Sequence, residues 1–186
     1  MITKEMMNSI STLGNPAIIG ISGFGGSGKS TFAKKLTSNL KATCVGIDSF
    51  FKSNDSSEYQ FWDIFDFKRL EKEVLKPYLS GNSKIFFGEF NWEENKVLNK
   101  STIINELLII EGVGIFRPEL MKYFSYSIWI DCPIDKAIEK GKERDKKEYG
   151  INQDYNWNGI WKRNDLQCFK EFSPKSNVDC IISCFN

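Results

Sequence analysis

Residues 17–36 read AIIGISGFGGSGKSTFAKKL. Ala17–Ser22 is a short β-prone run with no charge, as a strand covered on both faces would be. It runs into glycines, and then Phe32, Ala33, Leu36 and Leu40 recur at helical spacing. Between strand and helix, Gly23-Phe24-Gly25-Gly26-Ser27-Gly28-Lys29-Ser30 fits the pattern G-x-x-x-x-G-K-[ST]. The glycines let the backbone curl so that successive N–H groups point inward at phosphate oxygens. The helix that follows adds the positive end of its dipole. Lys29 can reach the β- and γ-phosphates as a point charge, and the Ser30 hydroxyl can ligate Mg²⁺. The nucleotide-binding set is therefore Gly23, Phe24, Gly25, Gly26, Ser27, Gly28, Lys29, Ser30 and Thr31, with ATP and Mg²⁺ as the expected ligands. The loop alone does not separate a kinase from an ATPase or a GTPase.

Further apolar runs alternate with helical patterns along the chain. Strands are expected at Thr43–Ile47, Glu106–Glu111, Ser127–Asp131 and Val178–Ser183, and helices around Leu70–Leu79, 134–148 and 155–172. Pro77 should end or kink the first of these helices. The stretch 84–98 is open between a short hairpin and a loop. The expected fold is a three-layer α/β/α domain spanning residues 1–186, with a mostly parallel sheet of about five strands.

Composition excludes several function classes. A chain of 186 residues with 41% apolar and 26% charged residues can bury a core, which disorder-dominated chains cannot. The formal net charge of +1 gives no global field for nucleic acid or anionic membrane. There is no histidine, which removes Ser-His and Cys-His nucleophiles and His-ligated metals. The five cysteines, Cys44, Cys132, Cys168, Cys180 and Cys184, have neither disulfide-framework nor zinc spacing. Cys180 and Cys184 read as core thiols on one strand face. The first fifteen residues are too polar for a signal peptide, and no apolar run reaches the ~18 residues of a membrane span. A reducing cytoplasm is the expected setting, with a homo-oligomer left open.

Two acids sit where doubly wound sheets bind ligands, beyond the carboxyl ends of strands. Asp48 ends the second strand in Gly46-Ile47-Asp48-Ser49-Phe50-Phe51, and Glu111 ends the third in Leu108-Ile109-Ile110-Glu111-Gly112. An acid beside the loop can hold Mg²⁺, and one near the γ-phosphate can accept the proton of an attacking hydroxyl. Asp48 also reads as a turn residue and Glu111 as a surface acid, but their positions favour the site. Asp131 ends a strand as well, where a structural role outweighs a site role.

Three segments in order, GISGFGGSGKSTFAKKL, VGIDSFF and LLIIEGVGIFRPEL, resemble the uridine kinase and phosphoribulokinase family of P-loop kinases. WIDCPIDKAIEKGKERD looks like the strand and helix leading into that family's lid, here about residues 140–165, and FSPKSNVDCIIS resembles its last strand. The resemblance implies transfer of the γ-phosphoryl of ATP to a hydroxyl of a small molecule, a nucleoside first. It makes Asp48 the candidate base and a possible metal neighbour, Ser30 and Glu111 the organisers of Mg²⁺, and Arg144 the lid arginine, with Arg163 a weaker second. The departures are Phe51 where a tyrosine is common, Phe90-Asn91-Trp92 in place of Tyr-Asp-aromatic, no pyrimidine-reading histidine, and a lid in which Lys140, Lys142, Lys146 and Lys147 surround one arginine.

The acceptor is expected under Glu58–Asp66, where Trp62, with Trp92, could stack on a ring and Asp63 or Asp66 could bind hydroxyls. The same segment reads equally as a surface loop whose aromatics cover the core. Trp157 and Trp161, four apart on a helix, should pack on one another. Other acceptors of the same chemistry are a vitamin such as nicotinamide riboside or pantothenate, or a sugar. A regulatory ATPase is the alternative of a different class, and no [NT]KxD-like guanine-reading segment is present.

Overall fold

In the computed structural model, which describes residues 2–52 and 64–184, the alternation of apolar side chains along the strands explains the architecture. Ile18, Leu108, Ile110 and Trp129 point to one side of a sheet, while Ile19, Ile21, Ile109, Ile128 and Ile130 point to the other, and both sets are buried. A strand needs apolar residues at every position only when both faces are covered. This is why the strands read as continuous runs.

The elements in chain order are α1 (Lys4–Ser11), β1 (Ala17–Gly23), α2 (Lys29–Leu40), β2 (Thr43–Gly46), α3 (Phe67–Leu70), α4 (Lys76–Leu79), β3 (Lys84–Asn91), β4 (Lys96–Ile103), β5 (Leu107–Glu111), α5 (Pro118–Met121), β6 (Tyr126–Asp131), α6 (Ile134–Arg144), α7 (Asp154–Asn158), α8 (Ile160–Phe172) and β7 (Cys180–Ser183). Among the described residues the main sheet has five strands in the order β2-β5-β1-β6-β7, every neighbouring pair parallel. β1 is central, with β5 on one side and β6 on the other. That is the point where a doubly wound sheet opens a crevice at its carboxyl edge. Met6 and Ile10 of α1 and Phe32, Ala33 and Leu36 of α2 cover one face. Leu70, Val74, Leu75, Tyr78, Ala137 and Cys168 cover the other. The expected three-layer α/β/α fold with five parallel strands is thus present.

Four local outcomes differ from or sharpen the sequence expectations. Lys4–Ser11 is a helix, capped by the Thr3 hydroxyl accepting from Met6 N at 3.1 Å. Pro77 neither ends nor breaks its helix. A π-helical turn over Glu71–Leu75 precedes it, and the helix runs on to Leu79, so the widened turn absorbs the missing N–H. Residues 84–103 form an antiparallel hairpin longer than expected, with Lys84 opposite Ile103 and Asn91 opposite Lys96. Arg69 and Glu73 hold it: Arg69 Nη1 donates to Gly88 O (3.0 Å) and Gly88 N donates to Glu73 Oε2 (3.0 Å). Cys184 lies just past β7 rather than on it, beside Cys132, and all five cysteines are free thiols. No helix among the described residues is long and apolar enough to cross a membrane.

Candidate active site

The loop from Gly23 to Gly28 joins the carboxyl end of β1 to α2 as the sequence requires. Gly28 takes a left-handed conformation (φ 96°) immediately before the helix, and Gly26 does the same at φ 77°. A side chain at Gly26 would meet Ala137 O at 2.0 Å, so the loop accepts only glycine where α6 crosses it. Lys29, the first residue of α2, is buried (7% exposed) and donates to Phe24 O at 2.8 Å. Burial pulls its pKa down, while Glu111, Asp165 and Asp48 pull it up.

The acids converge on that lysine from neighbouring strand ends. Glu111 closes β5 beside Gly46 of β2, its register partner, and accepts from the Ser30 hydroxyl at 3.1 Å. Gly112 follows with φ 151°, and a side chain there would meet Ile47 Cγ2 at 2.1 Å. This close approach lets the short 3₁₀ turn Ile47–Phe50 carry Asp48 past the end of β2. Asp48 is exposed to the crevice, although protein crowds it on most sides. The crowding raises its pKa, and Lys29 and Arg144 oppose the rise. Water reaches this carboxylate, so its exposure limits the size of the shift. Burial also raises the pKa of Glu111, with Lys29 opposing and Asp48 reinforcing.

The donor set fits Mg²⁺ with a triphosphate. The Ser30 hydroxyl donates to one carboxylate (Glu111), and a second carboxylate (Asp48) acts together with it on Lys29, so a hydroxyl and two acids stand beside the loop lysine. Ser27 Oγ is buried without a hydrogen-bond partner among the described residues, a further polar atom inside the loop. Thr31, next on α2, is exposed.

The region expected to be a lid roofs the loop. Trp157 of α7 is 4% exposed and packs edge-on to Trp161 at 4.9 Å, as the spacing predicted. It also lies against Gly25 and Gly141, where added side chains would meet its ring at 3.1 and 2.4 Å. Its Nε1 donates to Asp145 Oδ2 at 2.7 Å, and Arg144 donates to Asp145 Oδ1 through Nε (3.1 Å) and Nη2 (2.8 Å). Arg144 is thereby held where its charge acts on Lys29, Asp48 and Glu111. Arg163 is exposed on α8. Two of the lid lysines tie the helices together: Lys142 bonds Asn158 (2.8 Å) and Lys146 pairs with Asp154 (3.7 Å). Asp131 has a structural role, pairing with Lys175 at 2.7 Å.

Phe51 follows Asp48 in the same turn, its N–H donating to Asp48 O at 3.2 Å, and the rings of Phe51, Phe90 and Trp92 cluster at 4.5–4.9 Å, with Phe65 6.1 Å from Phe51. Trp92 is 58% exposed at the edge of this cluster. Asp66 caps α3, its Oδ1 accepting from Arg69 N at 2.9 Å. Asn91 builds the hairpin turn by accepting from Glu93 N and Glu94 N. Trp62 and Asp63 lie outside the described residues.

Comparison with known proteins gives this arrangement a family. A model described as the KAP family P-loop domain matches residues 1–163. The uridine kinase of Borrelia duttonii (strain Ly) is 30% identical over 144 residues, covering 72% of this chain and 69% of that protein. The chain belongs to the KAP family of P-loop domains and to the uridine kinase family. The uridine-cytidine kinase A of Dictyostelium discoideum is 28% identical over 155 residues, 77% of this chain and 31% of that protein, so the chain spans about a third of that relative's length. A solved structure described as a "Possible Uridine Kinase" from Bacillus stearothermophilus superposes with a TM-score of 0.73 at 15% identity, covering 96% of this chain and 95% of that one. A D-glycerate 3-kinase from Cryptococcus neoformans superposes at 0.59 and 9% identity, over 90% and 84%. At those identities the likeness concerns the fold.

For this uridine kinase family member, sequence reasoning missed one group at the loop itself. Asp165 of α8 is 6% exposed, and its Oδ2 accepts from Gly25 N at 2.8 Å. Burial pushes its carboxyl up to about 6, against the pull of Lys29 and the Gly25 amide. In the sequence it is one acid in a charged helix, KRNDLQ, 140 residues from its partner, and no local pattern marks it.

Proposed function

We propose that this chain is an ATP-dependent nucleoside kinase that moves the γ-phosphoryl of ATP to a hydroxyl of a uridine-like nucleoside. One observation carries the reading: a phosphate loop, its lysine and two strand-end carboxylates share one crevice, and an aromatic wall stands beside the more exposed carboxylate. A triphosphate seated on the loop amides places its charge at Lys29 and the amino end of α2. Asp48, solvated yet flanked by cations, accepts the proton of the attacking hydroxyl, and Arg144, aimed by Asp145, meets the charge spread over the transferring group. Ser30 and Glu111 would hold Mg²⁺, which supplies charge neutralisation to the phosphates when bound. The exposed ring of Trp92, backed by the buried Phe51 and Phe90, offers an apolar face to an aromatic base. Catalysis of this kind is positioning and electrostatics, with no covalent enzyme intermediate.

The test is phosphoryl transfer from ATP to a panel of nucleosides, nicotinamide riboside, pantothenate and sugars. Wild type should phosphorylate a nucleoside, Lys29→Ala should lose productive ATP use, and Asp48→Asn should bind ATP normally while turnover falls by about 10²–10⁴-fold. Near-normal turnover by the Asp48 variant would remove it as the base. ATP binding with no acceptor better than water would favour a regulatory ATPase.

A further inference from the structure

The carboxylate of Asp165 takes a backbone amide of the glycine-rich loop. A phosphate loop binds anionic oxygens with two kinds of donor, its backbone amides and its lysine. Asp165 Oδ2 takes the Gly25 amide at 2.8 Å, and its charge acts on Lys29 together with Glu111 and Asp48. The side chain is nearly closed off from solvent, in a small cavity also lined by Phe24, Trp129, Cys168 and Phe169. Trp157 lies against the same glycine. Surface acids are screened by water, whereas this one sits within a low-dielectric anion cradle. We propose that Asp165 is an internal anion of the phosphate loop that sets the preference between ATP and ADP by opposing the additional phosphate charge of ATP. The inference rests on the proposed nucleotide-binding role of the loop.

Its electrostatic logic separates it from a purely mechanical role. A clamp that only fastened α8 to the loop would, when lost, change the affinities for both nucleotides together. An internal anion that shares Lys29 with the incoming phosphates penalises the more highly charged nucleotide more, because like charges in a poorly screened site repel in proportion to their product. Removing its charge while keeping its acceptor should therefore shift the ratio of the two affinities as well as their common level.

The experiment is titration calorimetry of ATP and of ADP, each with Mg²⁺, into wild type, Asp165→Asn and Asp165→Ala. Asn keeps an oxygen for the Gly25 amide, and thermal melts establish that each variant is folded. The expected result is that Asp165→Asn tightens ATP by about tenfold and ADP by a few-fold at most, so that the ATP/ADP preference rises, with Asp165→Ala moving the ratio the same way. An unchanged ATP/ADP ratio in both folded variants, whether the two affinities fall or stay level, would overturn the proposal and leave nucleotide binding intact. Failure of wild type and variants alike to bind either nucleotide would remove the nucleotide-binding reading and this inference with it.

Discussion

Burial lowers the pKa of Lys29 and three carboxylates oppose that, each reaching it from a different element: Glu111 at the end of β5, Asp165 on α8 and Asp48 after β2. Glu111 and Asp48 were legible because strand ends in a parallel sheet have a fixed direction and face a known edge. Asp165 was not, because its role depends on where a helix near the end of the chain lands. The folded protein carries a measurable trace of it. Its carboxyl stands at about 6 against an ordinary 3.8. Between those values the unfolded chain has released this proton and the folded chain still holds it. Stability therefore falls as pH rises through the window, and the penalty is fully present above about 6, at roughly 3 kcal/mol. Asp165→Asn has no proton to release at this position. Urea unfolding of the two proteins from about pH 4 to pH 7.5 should show the variant gaining on wild type across the window and holding its gain above it. A difference that does not change with pH would mean that the carboxyl titrates normally in the folded protein.

At the scale of elements, the loop and its roof form one packed unit. The helical pattern of 134–148 was readable from its apolar spacing, and the structure gives α6 followed by a π-helical turn over Asp145–Tyr149. What the pattern could not carry was the contact of α6 with Gly26, since that depends on tertiary placement and uses a backbone carbonyl. Gly26 has φ 77°, and Ala137 O stands 2.0 Å from where a side chain would begin. Gly26→Ala adds the cost of a positive φ for a non-glycine residue, about 1 kcal/mol or more, to the cost of pushing α6 off the loop. The expected outcome is a lower melting temperature together with weaker ADP binding, because the loop and α6 cannot both keep their places. Trp157, wedged against Gly25 and Gly141 of the same unit, should report the displacement as a red-shifted emission. A variant with wild-type melting and wild-type ADP affinity would show that the loop and α6 are not in contact in solution. The short elements were harder to read than α6. Only Met6 and Ile10 of α1 are buried, too few for a clear periodicity, and β4 is almost wholly exposed, so neither carries the apolar signal that marked the sheet.

Across the whole molecule, the parallel sheet divides stability from chemistry. Its carboxyl edge holds Lys29, Asp48, Glu111 and the lid, while the opposite edge is closed by side chains with no part in phosphate binding. β1, β5 and β6 were recoverable from sequence because each is covered on both faces, while β2 and β7, at the edges of the sheet, are only partly covered and gave shorter apolar runs. Tyr78 marks the opposite edge. It lies in α4, is 4% exposed, and its hydroxyl is within 3.1 Å of Ala17 O at the start of β1 and 2.8 Å of Glu106 O just before β5. One hydroxyl proton shared between two carbonyls fastens this helix to the two central strands at the end farthest along them from the loop. Tyr78→Phe keeps the ring in the core and removes only the donor, so the loss should be that of one buried hydrogen bond, about 1–2 kcal/mol. Chemical denaturation should show the midpoint falling with an unchanged slope. The kinase assay, run well below the melting temperature, should give turnover and nucleotide affinity within about twofold of wild type, because no group at the carboxyl edge has moved. A fall in turnover without a fall in stability would show that strain at the amino ends of β1 and β5 is transmitted along the strands to Gly23 and Glu111, and that the two edges of the sheet are not independent.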